Sequence, residues 1–306
     1  MKRLIRNEGQ VTVLTAIFLV VLLGLTGIVL DVGSWFRQQR VTQATVDAAA
    51  LAGAQSLPDD PGQAASDATT FANKNDGVAG ASISIGTKWV PDDMITVTQS
   101  KPADGFFSKV FGISTVTVRA NASAIAEVPT AVFGAAPIVV DIHHPELSGA
   151  GCPCFGVPTT IPLGKKGVPG AFGMIDFDGS SGTTGASTLA SWVAQGYQGW
   201  LTTGDFYDSD PGAKFSNNSI QSALVSRYGD DLLFPVYDSL SGTGSNAPYH
   251  IIAWAAFHVT LTQASGNTGT ISGWFDRVIW QGKIPPSGPP NPPMPDLGVY
   301  STALIN

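Results

Sequence analysis

Hydrophobic residues near the N-terminus form one long block. The segment from Val11 to Leu30 has twenty residues and no charged side chain. At about 1.5 Å per residue, a helix of this length spans about 30 Å, the thickness of the hydrocarbon core of a bilayer. A signal peptide has a shorter apolar region, of roughly 7–15 residues, followed by a small-residue cleavage site. The pattern therefore predicts an uncleaved transmembrane helix over residues 11–32.

The residues that flank this span are typical of membrane-interface anchors. Arg3 and Arg6 precede the span, whereas Trp35, Arg37 and Arg40 follow it. Tryptophan is enriched at membrane–water interfaces and arginine reaches lipid headgroups, so we expect these five side chains to anchor the helix. The positive-inside rule then predicts a cytoplasmic N-terminus, with nearly the whole chain on the other side of the membrane.

An alanine-rich segment, "RVTQATVDAAALAGAQSLP", continues the helical pattern beyond the span. Alanine is the best helix former, so the sequence predicts one helix over about residues 11–57, with Gly33 as the place for a kink. A second short helix is expected to end near Asn75. The apolar face that packs on protein is predicted to contain Val41, Ala44, Ala48, Leu51 and Gln55.

After the second helix the pattern changes to an alternation of apolar and polar residues, which is typical of half-buried strands. The alternating segments are "ASISIGTKWV", "DMITVTQSK" and "STVTVRANASAIAEV". They predict a small antiparallel sheet laid on the long helix, within a pilin-like unit over residues 33–128.

The rest of the chain is predicted to form a second, β-rich domain over residues 129–284. "PIVVDIHH", "YHIIAWAAFHVTLTQ" and "TISGWFDRVIWQGKI" have strand character. Only "ASTLASWVAQGY" and "NNSIQSALVSRYG" are typical of helices, the latter with Asn217 or Asn218 as its N-cap. A proline-rich tail, residues 285–306, is expected to be extended. The predicted fold class is α+β, with residues 1–10 as a short basic N-terminus.

Composition and charge argue against some classes of protein and favour others. The chain has 23 acidic and 16 basic residues, which argues against a basic nucleic-acid surface. Charged residues amount to 13%, about half the usual fraction, and this suits an extracytoplasmic β-rich protein. No cofactor is expected.

Cys152 and Cys154 are the two cysteines, and His143 and His144 precede them. Structural zinc sites favour Cys-x-x-Cys with spaced histidines, and adjacent residues on a strand point in opposite directions. A zinc site is therefore the weaker interpretation. In an oxidising, exported location we expect a local disulfide between the two cysteines.

The sequence also contains candidate residues for calcium binding and for hydrolysis. Acidic residues beside glycine, which include Asp176, Asp178, Asp205, Asp208 and Asp210, offer oxygen ligands for calcium, but Asx-turns explain such loops as well. For hydrolysis, His250 and His258 lie in an apolar strand pattern, and no Gly-x-Ser-x-Gly motif occurs. The sequence does not predict an enzyme.

A resemblance to a known family joins these features. The apolar span, the run "ATVDAAALAGA" and the segment "FFSKVFG" resemble Flp pilus-assembly TadE/TadG-like proteins, bacterial envelope proteins of the tight-adherence system, over about residues 6–128. "LFPVYDSLSGTGSNAPYHIIAWAAFHVT" is similar to the C-terminal part of TadG-like proteins. The resemblance implies a pilin-like protein in the bacterial cytoplasmic membrane, with the lipid bilayer and other pilus-assembly proteins as its partners.

One departure from the pattern of processed prepilins favours the TadG-like branch. If Gly9 were a prepilin cleavage glycine, Leu14 would replace the usual glutamate. Some TadG-like proteins carry an Asp-x-Ser-x-Ser metal motif, but "DSLSG" at Asp238 has the wrong spacing, so no metal-dependent adhesion site is expected. The leading hypothesis is an envelope protein that assembles or anchors a pilus. An exported adhesin or binding module, stabilised by calcium, is the second hypothesis, and an anchored hydrolase is the third.

Overall fold

The computed structural model describes residues 8–76, 80–163, 173–179, 184–210, 215, 217–242, 247–265, 268–285, 288 and 293–305. The chain divides into two compact units. The first contains residues 1–125 and 303–306, and the second contains residues 126–302. The predicted α+β fold class, with a long N-terminal helix followed by β-rich sheets, is confirmed.

Two helices begin the first unit. Helix α1 (Glu8–Ala54) has 47 residues and continues through Gly33 without interruption. Helix α2 (Pro61–Asp76) is the predicted second helix, and it ends one residue after Asn75. Its start is capped by Asp60, whose carboxylate accepts a hydrogen bond of 2.8 Å from the backbone N–H of Gln63.

The face of α1 that is buried in the first unit differs from the predicted one. The buried residues in the second half of α1 are Thr42, Thr45, Val46, Ala49, Ala50, Ala52, Gly53 and Ala54. Val41, Ala44 and Gln55 of the predicted face are exposed, so that part of the prediction is wrong, whereas Ala48 and Leu51 are partly buried. The threonine hydroxyls donate to the carbonyl oxygens four residues earlier, at 2.9 Å and 3.0 Å, and this satisfies them inside the core.

Close packing against α2 explains why small residues occupy this face. Ala64, Ala68 and Ala72 form a fully buried stripe along α2. A Cβ atom at Gly53 would lie 2.7 Å from the carbonyl oxygen of Ala64 and 2.5 Å from the Cδ1 atom of Ile95. The two helix backbones therefore approach at a position where only glycine fits.

The predicted antiparallel strands of the first unit are present: β1 (Ser82–Gly86), β2 (Met94–Asp104) and β3 (Thr115–Glu127). A 3-10 helix (Ser108–Phe111) lies between β2 and β3. Strand β1 is shorter than predicted because the chain turns after Gly86. The buried carboxylate of Asp93 holds this turn by accepting hydrogen bonds from the backbone N–H groups of Lys88, Trp89 and Val90.

The second unit contains the remaining elements. Its strands are β4 (Ala131–Phe133), β5 (Ile138–Asp141), β6 (Thr159–Leu163), β7 (Gly173–Ile175), β8 (Trp200–Thr202), β9 (Phe206–Tyr207), β10 (Ser209–Asp210), β11 (Asp231–Leu240), β12 (Tyr249–Ser265), β13 (Thr268–Asp276), β14 (Val278–Ile279), β15 (Gly282–Lys283) and β16 (Val299–Ile305). Its helices are α3 (Pro145–Ser148), α4 (Ala186–Gln195) and α5 (Asn218–Val225). The boundary between the units falls inside β3, and the last residues of β16 belong to the first unit.

One large sheet carries the core of the second unit. Its strand order is β10-β7-β5-β11-β12-β13-β6, with β9 also paired to β12, and a smaller sheet has the order β15-β4-β8. Strand β11 pairs antiparallel with β12 and parallel with β5. Residues 232–237 of β11 are all buried, so this central strand is covered on both faces. Such burial explains its continuous apolar pattern.

The helices of the second unit confirm one capping prediction. Helix α5 begins after Asn217, whose side chain accepts a hydrogen bond of 2.9 Å from the backbone N–H of Ser219. Helices α4 and α5 are the two predicted ones. The strand at the C-terminus, β16, was not predicted, and it pairs parallel with β14.

The segment "PIVVDIHH" is only partly a strand. Strand β5 ends at Asp141, so the expectation that His143 and His144 occupy opposite faces of a strand is wrong. His144 instead caps the short helix α3, and its Nδ1 atom accepts a hydrogen bond of 3.2 Å from the backbone N–H of Glu146.

Candidate membrane-anchoring site

The N-terminal half of α1 is apolar and bare. From Val11 to Leu30 its large side chains are exposed, with Phe18 66% and Val20 67% accessible. The most apolar window of the helix has a mean hydropathy of 2.8, and only 6% of that window is buried. By length and composition this helix can cross a membrane. Its position and exposure are consistent with a single N-terminal membrane anchor.

The predicted interface anchors after the span differ in their surroundings. Arg37 and Arg40 are exposed on α1. Trp35 is partly buried, and its Nε1 atom donates a hydrogen bond of 3.1 Å to the carbonyl oxygen of Asp104. Arg3 and Arg6 lie outside the described residues. Contact of these four arginines with lipid headgroups stays a prediction.

Asp31 lies at the end of the apolar block and binds the loop between β2 and β3. Its Oδ1 atom accepts a hydrogen bond of 2.9 Å from the N–H of Phe106. Its Oδ2 atom accepts bonds of 2.9 Å and 2.6 Å from the N–H groups of Phe107 and Ser108. The residue is 1% exposed. One carboxylate therefore satisfies three backbone donors at the start of the 3-10 helix.

We call residues 106–113 the aromatic loop. Its ends are joined by a hydrogen bond of 2.9 Å from the N–H of Gly105 to the carbonyl oxygen of Ser114. Inside it, the Ser108 hydroxyl donates to the carbonyl oxygen of Ile113 at 2.9 Å. Gly112 closes the 3-10 helix with a φ of 81°, a conformation that favours glycine. The loop thus has a defined shape while its apolar side chains point outward.

The aromatic loop packs on α1 at Gly27. A Cβ atom at Gly27 would lie 2.7 Å from the Cγ atom of Phe107, whereas nothing lies within 4 Å of one at Gly24. A groove of about 740 Å³ runs between the helix and the loop. It is lined by Val20, Val21, Leu23, Gly24, Leu25, Thr26, Gly27, Ile28, Leu30, Phe107, Val110 and Phe111.

Sequence reasoning missed this arrangement. The patterns along the chain did not single out Gly24 or Gly27, and "FFSKVFG" contributed only to the family resemblance. The available signal was an apolar, aromatic segment in a connection between two alternating strands, since such connections are usually polar. Asp31, 75 residues before Phe106, gave no local sign of its partners.

The two cysteines and the two neighbouring histidines have different surroundings. Cys152 and Cys154 are joined by a disulfide with an S–S distance of 1.95 Å. His143 is exposed, and its Nδ1 atom lies 2.8 Å from the carboxylate of Asp141. His144 is buried against Phe275, with ring centroids 5.3 Å apart. Burial lowers the pKa of His144 below its ordinary value, although attraction by Asp141 opposes this shift.

Among the acidic residues considered for calcium, Asp176 and Asp205 accept hydrogen bonds from groups of the chain. Asp176 and Asp210 are buried, and the carboxylate of Asp176 accepts a hydrogen bond of 2.9 Å from the N–H of Asp178. The Asp205 carboxylate accepts a hydrogen bond from the hydroxyl of Thr202. In the described part of the chain, none of the five aspartates belongs to a group of three metal-ligating side chains within coordinating distance.

Two groups of potential ligands do occur among the described residues. One contains Glu146 with the bonded cysteines Cys152 and Cys154, whose sulfurs are not thiolates. The other contains Asp231, His258 and Asp276. Within it, the Nδ1 atom of His258 lies 2.9 Å from the carboxylate of Asp231.

His250 also pairs with an aspartate, but the arrangement differs from that of a hydrolase. Its Nδ1 atom lies 2.8 Å from the Oδ1 atom of Asp238, and the hydroxyl of Ser239 donates to the same oxygen at 2.7 Å. A serine nucleophile must donate to the histidine, not to the aspartate. Partial burial opposes ionisation of Asp238, but the bonds from Ser239 and His250 outweigh it and lower the pKa of this carboxyl.

Comparisons with known proteins concern α1. Residues 9–56 match the family model described as "Putative Flp pilus-assembly TadE/G-like". No curated protein and no solved structure matches the chain. The description names pilus assembly and no chemical reaction. The wider resemblance, to residue 128 and over residues 233–260, stays a prediction. The helix that carries the candidate membrane span, with the turn after it, is thus similar to the TadE/G-like pilus-assembly family.

Proposed function

We propose that this chain is a single-pass protein of the bacterial cytoplasmic membrane that serves in the tight-adherence pilus assembly apparatus. Residues 1–10 lie in the cytoplasm, residues 11–32 span the bilayer, and the folded units lie outside. The protein acts through binding and architecture, as a minor pilin-like structural or assembly factor. Its partners are the lipid bilayer and other pilus-assembly proteins.

The observation that supports this proposal is the division of α1 into two halves with different surroundings. Its first half exposes apolar side chains, and its second half packs on α2 and on the sheet of the first unit. The helix has 47 residues and measures about 70 Å at 1.5 Å per residue. A bilayer needs only about 30 Å of it. The remainder is the spine of the exported fold, and the family match covers this same helix.

A continuous helix gives the proposed role a physical basis. Because α1 is unbroken where it leaves the span, the orientation of the first unit is coupled to that of the anchor. Leu14 stands where processed filament subunits carry glutamate, and this favours an assembly factor of the TadG-like branch over a major subunit. The protein would hold its exported units beside the assembly platform.

Anchoring and pilus assembly are tested together in cells that lack the gene. We expect few or no pili by electron microscopy, and recovery when the full chain is supplied. Val20→Arg places a charge at the middle of the span, which costs about 2.5–3.5 kcal/mol of insertion free energy. We expect this variant to leave the carbonate-resistant membrane fraction and to fail in complementation. Ala44→Arg, at an exposed position of the same helix, is the matched control.

Each outcome bears on a separate part of the proposal. Normal pili in cells without the chain would contradict the assembly role. Recovery of the wild-type chain in the carbonate supernatant would contradict the anchor. Protease added to spheroplasts should degrade the second unit, and its complete protection would contradict the orientation.

A further inference from the structure

We propose that the aromatic loop is a second membrane contact, which inserts beside α1 into the leaflet on the exported side, with lipid acyl chains filling the groove between them. This inference rests on the proposed membrane anchor. It adds a lipid-binding surface that comes from the middle of the chain, between β2 and β3.

Five of the eight residues of the aromatic loop are large apolar residues whose side chains are exposed. Val110 is 85% exposed, Phe106 68% and Phe111 64%, while Phe107 and Ile113 are about half exposed. A contiguous patch of this kind marks an interaction site rather than a surface designed for water. It is continuous with the bare apolar surface of α1, since both line one groove. The same apolar solvent would cover both.

The position of the loop along α1 sets its depth. Phe107 meets the helix at Gly27, which is one turn before Asp31 and inside the predicted span. The groove extends along the helix from Val20 to Leu30, about 15 Å at 1.5 Å per residue. An α1 helix that spans the bilayer therefore carries the loop into the hydrocarbon region. Lys109, exposed on the loop, is long enough to extend its ammonium group toward the headgroups.

Six of the eight backbone N–H groups of the loop have acceptors, which suits entry into hydrocarbon, where unsatisfied N–H groups are costly. Asp31 accepts from the first three donors, at Phe106, Phe107 and Ser108. The N–H groups of Gly105, Val110, Gly112 and Ile113 donate to carbonyl oxygens of the same connection, at 2.9–3.1 Å. Asp31 therefore fixes the loop to the helix at the edge of the span, and the three N–H donors stabilise its buried carboxylate.

The chemistry of the groove favours acyl chains over a second transmembrane helix. Its lining is apolar apart from Thr26, whose hydroxyl already donates to the carbonyl oxygen of Leu22 at 2.8 Å. Close helix–helix packing in membranes uses pairs of small residues. Of the two glycines on this stretch of α1, Gly27 is occupied by Phe107, and only Gly24 is open. The loop occupies the place that a partner helix would need.

The test places a fluorophore on single introduced cysteines of the full chain, reconstituted in vesicles of phosphatidylcholine and phosphatidylglycerol. The two native cysteines are bonded to each other, so the introduced thiol is labelled selectively. Val110→Cys and Phe111→Cys report on the loop, Ile17→Cys on the span, and Thr117→Cys on an exposed position of β3. Quenching is measured with lipids brominated on the acyl chain and with aqueous iodide.

We expect the loop labels to lose fluorescence to brominated lipid as the Ile17 label does, and to be shielded from iodide, while the Thr117 label shows the reverse. Loop labels that respond to iodide, with an Ile17 label that responds to lipid, would overturn the loop insertion and leave the anchor intact. Loop labels shielded from both quenchers would overturn it in favour of a protein partner in the groove. An Ile17 label that responds to iodide would contradict the proposed anchor as well.

Discussion

Replacing Asp31 with alanine removes the single acceptor of three backbone hydrogen bonds at the base of the aromatic loop. Hydrogen bonds to a charged group contribute about 1.5–3 kcal/mol each. Three donors that share one carboxylate do not add independently, and a released loop can bond to water in part. We therefore expect Asp31→Ala to lower the free energy of local opening of the loop by about 3–5 kcal/mol. Asp31→Asn retains one oxygen acceptor, so its effect should be smaller.

Hydrogen exchange of the full chain in lipid nanodiscs measures this opening directly. A loss of about 3 kcal/mol corresponds to roughly hundred-fold faster exchange of the amides in residues 105–114. Asp104→Ala removes an exposed carboxylate next to the same loop and is the matched control, for which we expect unchanged exchange. If Asp31→Ala and Asp104→Ala gave the same exchange rates in this segment, Asp31 would not hold the loop.

Further predictions use other close contacts and one buried titratable group. Gly27→Leu should push the aromatic loop off the helix and expose a loop label to aqueous iodide, whereas Gly24→Leu, in open space, should leave the label unchanged. Gly53→Ala should lower the unfolding free energy of the first unit in denaturant by about 1–3 kcal/mol, because its methyl group overlaps the second helix. Gly33→Ala, which meets nothing, should instead raise it by up to about 1 kcal/mol. Unchanged stability in both variants would contradict the packing described for α1 and α2. The pKa of His144 lies below 6.5 in the folded chain because of burial, so the unfolded chain binds more protons between that pKa and 6.5. The contribution of His144 to the free energy of unfolding is therefore complete above pH 6.5 and is lost as the pH falls through this range. In unfolding measured as a function of pH, His144→Asn should flatten that part of the curve. If the wild-type second unit gained stability relative to His144→Asn as the pH fell through this range, the sign of this prediction would be wrong.

Local patterns were sufficient for the elements that depend on local chemistry. The apolar block from Val11 to Leu30 indicated a membrane-spanning helix, because a helix must have about 20 apolar residues to cross a bilayer and this number can be counted in the sequence. Alternation with a period of two located β2 and β3. Asn217 indicated the start of α5, because the side chain of an N-cap residue accepts a hydrogen bond from a backbone N–H only two residues away.

The wrong predictions concern faces and partners. On the second half of α1, alanines occur all round the helix, so the periodicity of apolar residues does not select a face. The tertiary structure chose the face with Thr45 and Gly53, because the hydroxyl bonds to its own helix and the glycine admits the backbone of α2. Strand β16 escaped prediction for a related reason, since its pairing with β14 depends on where another part of the chain lies.

The candidate site shows the same division between local and long-range information. The sequence alone indicated that the uncharged segment from Val11 to Leu30 belongs to a long apolar helix with charged residues on both sides. Only the tertiary structure brought the aromatic loop to Gly27 and joined Asp31 to backbone donors 75 to 77 residues away. The sequence around an aspartate does not indicate which distant N–H groups will donate to its carboxylate. The sequence around a glycine does not indicate which aromatic ring will pack against it. Those pairings are fixed by the fold, because they lower the free energy only when β2 and β3 already hold the loop against the helix.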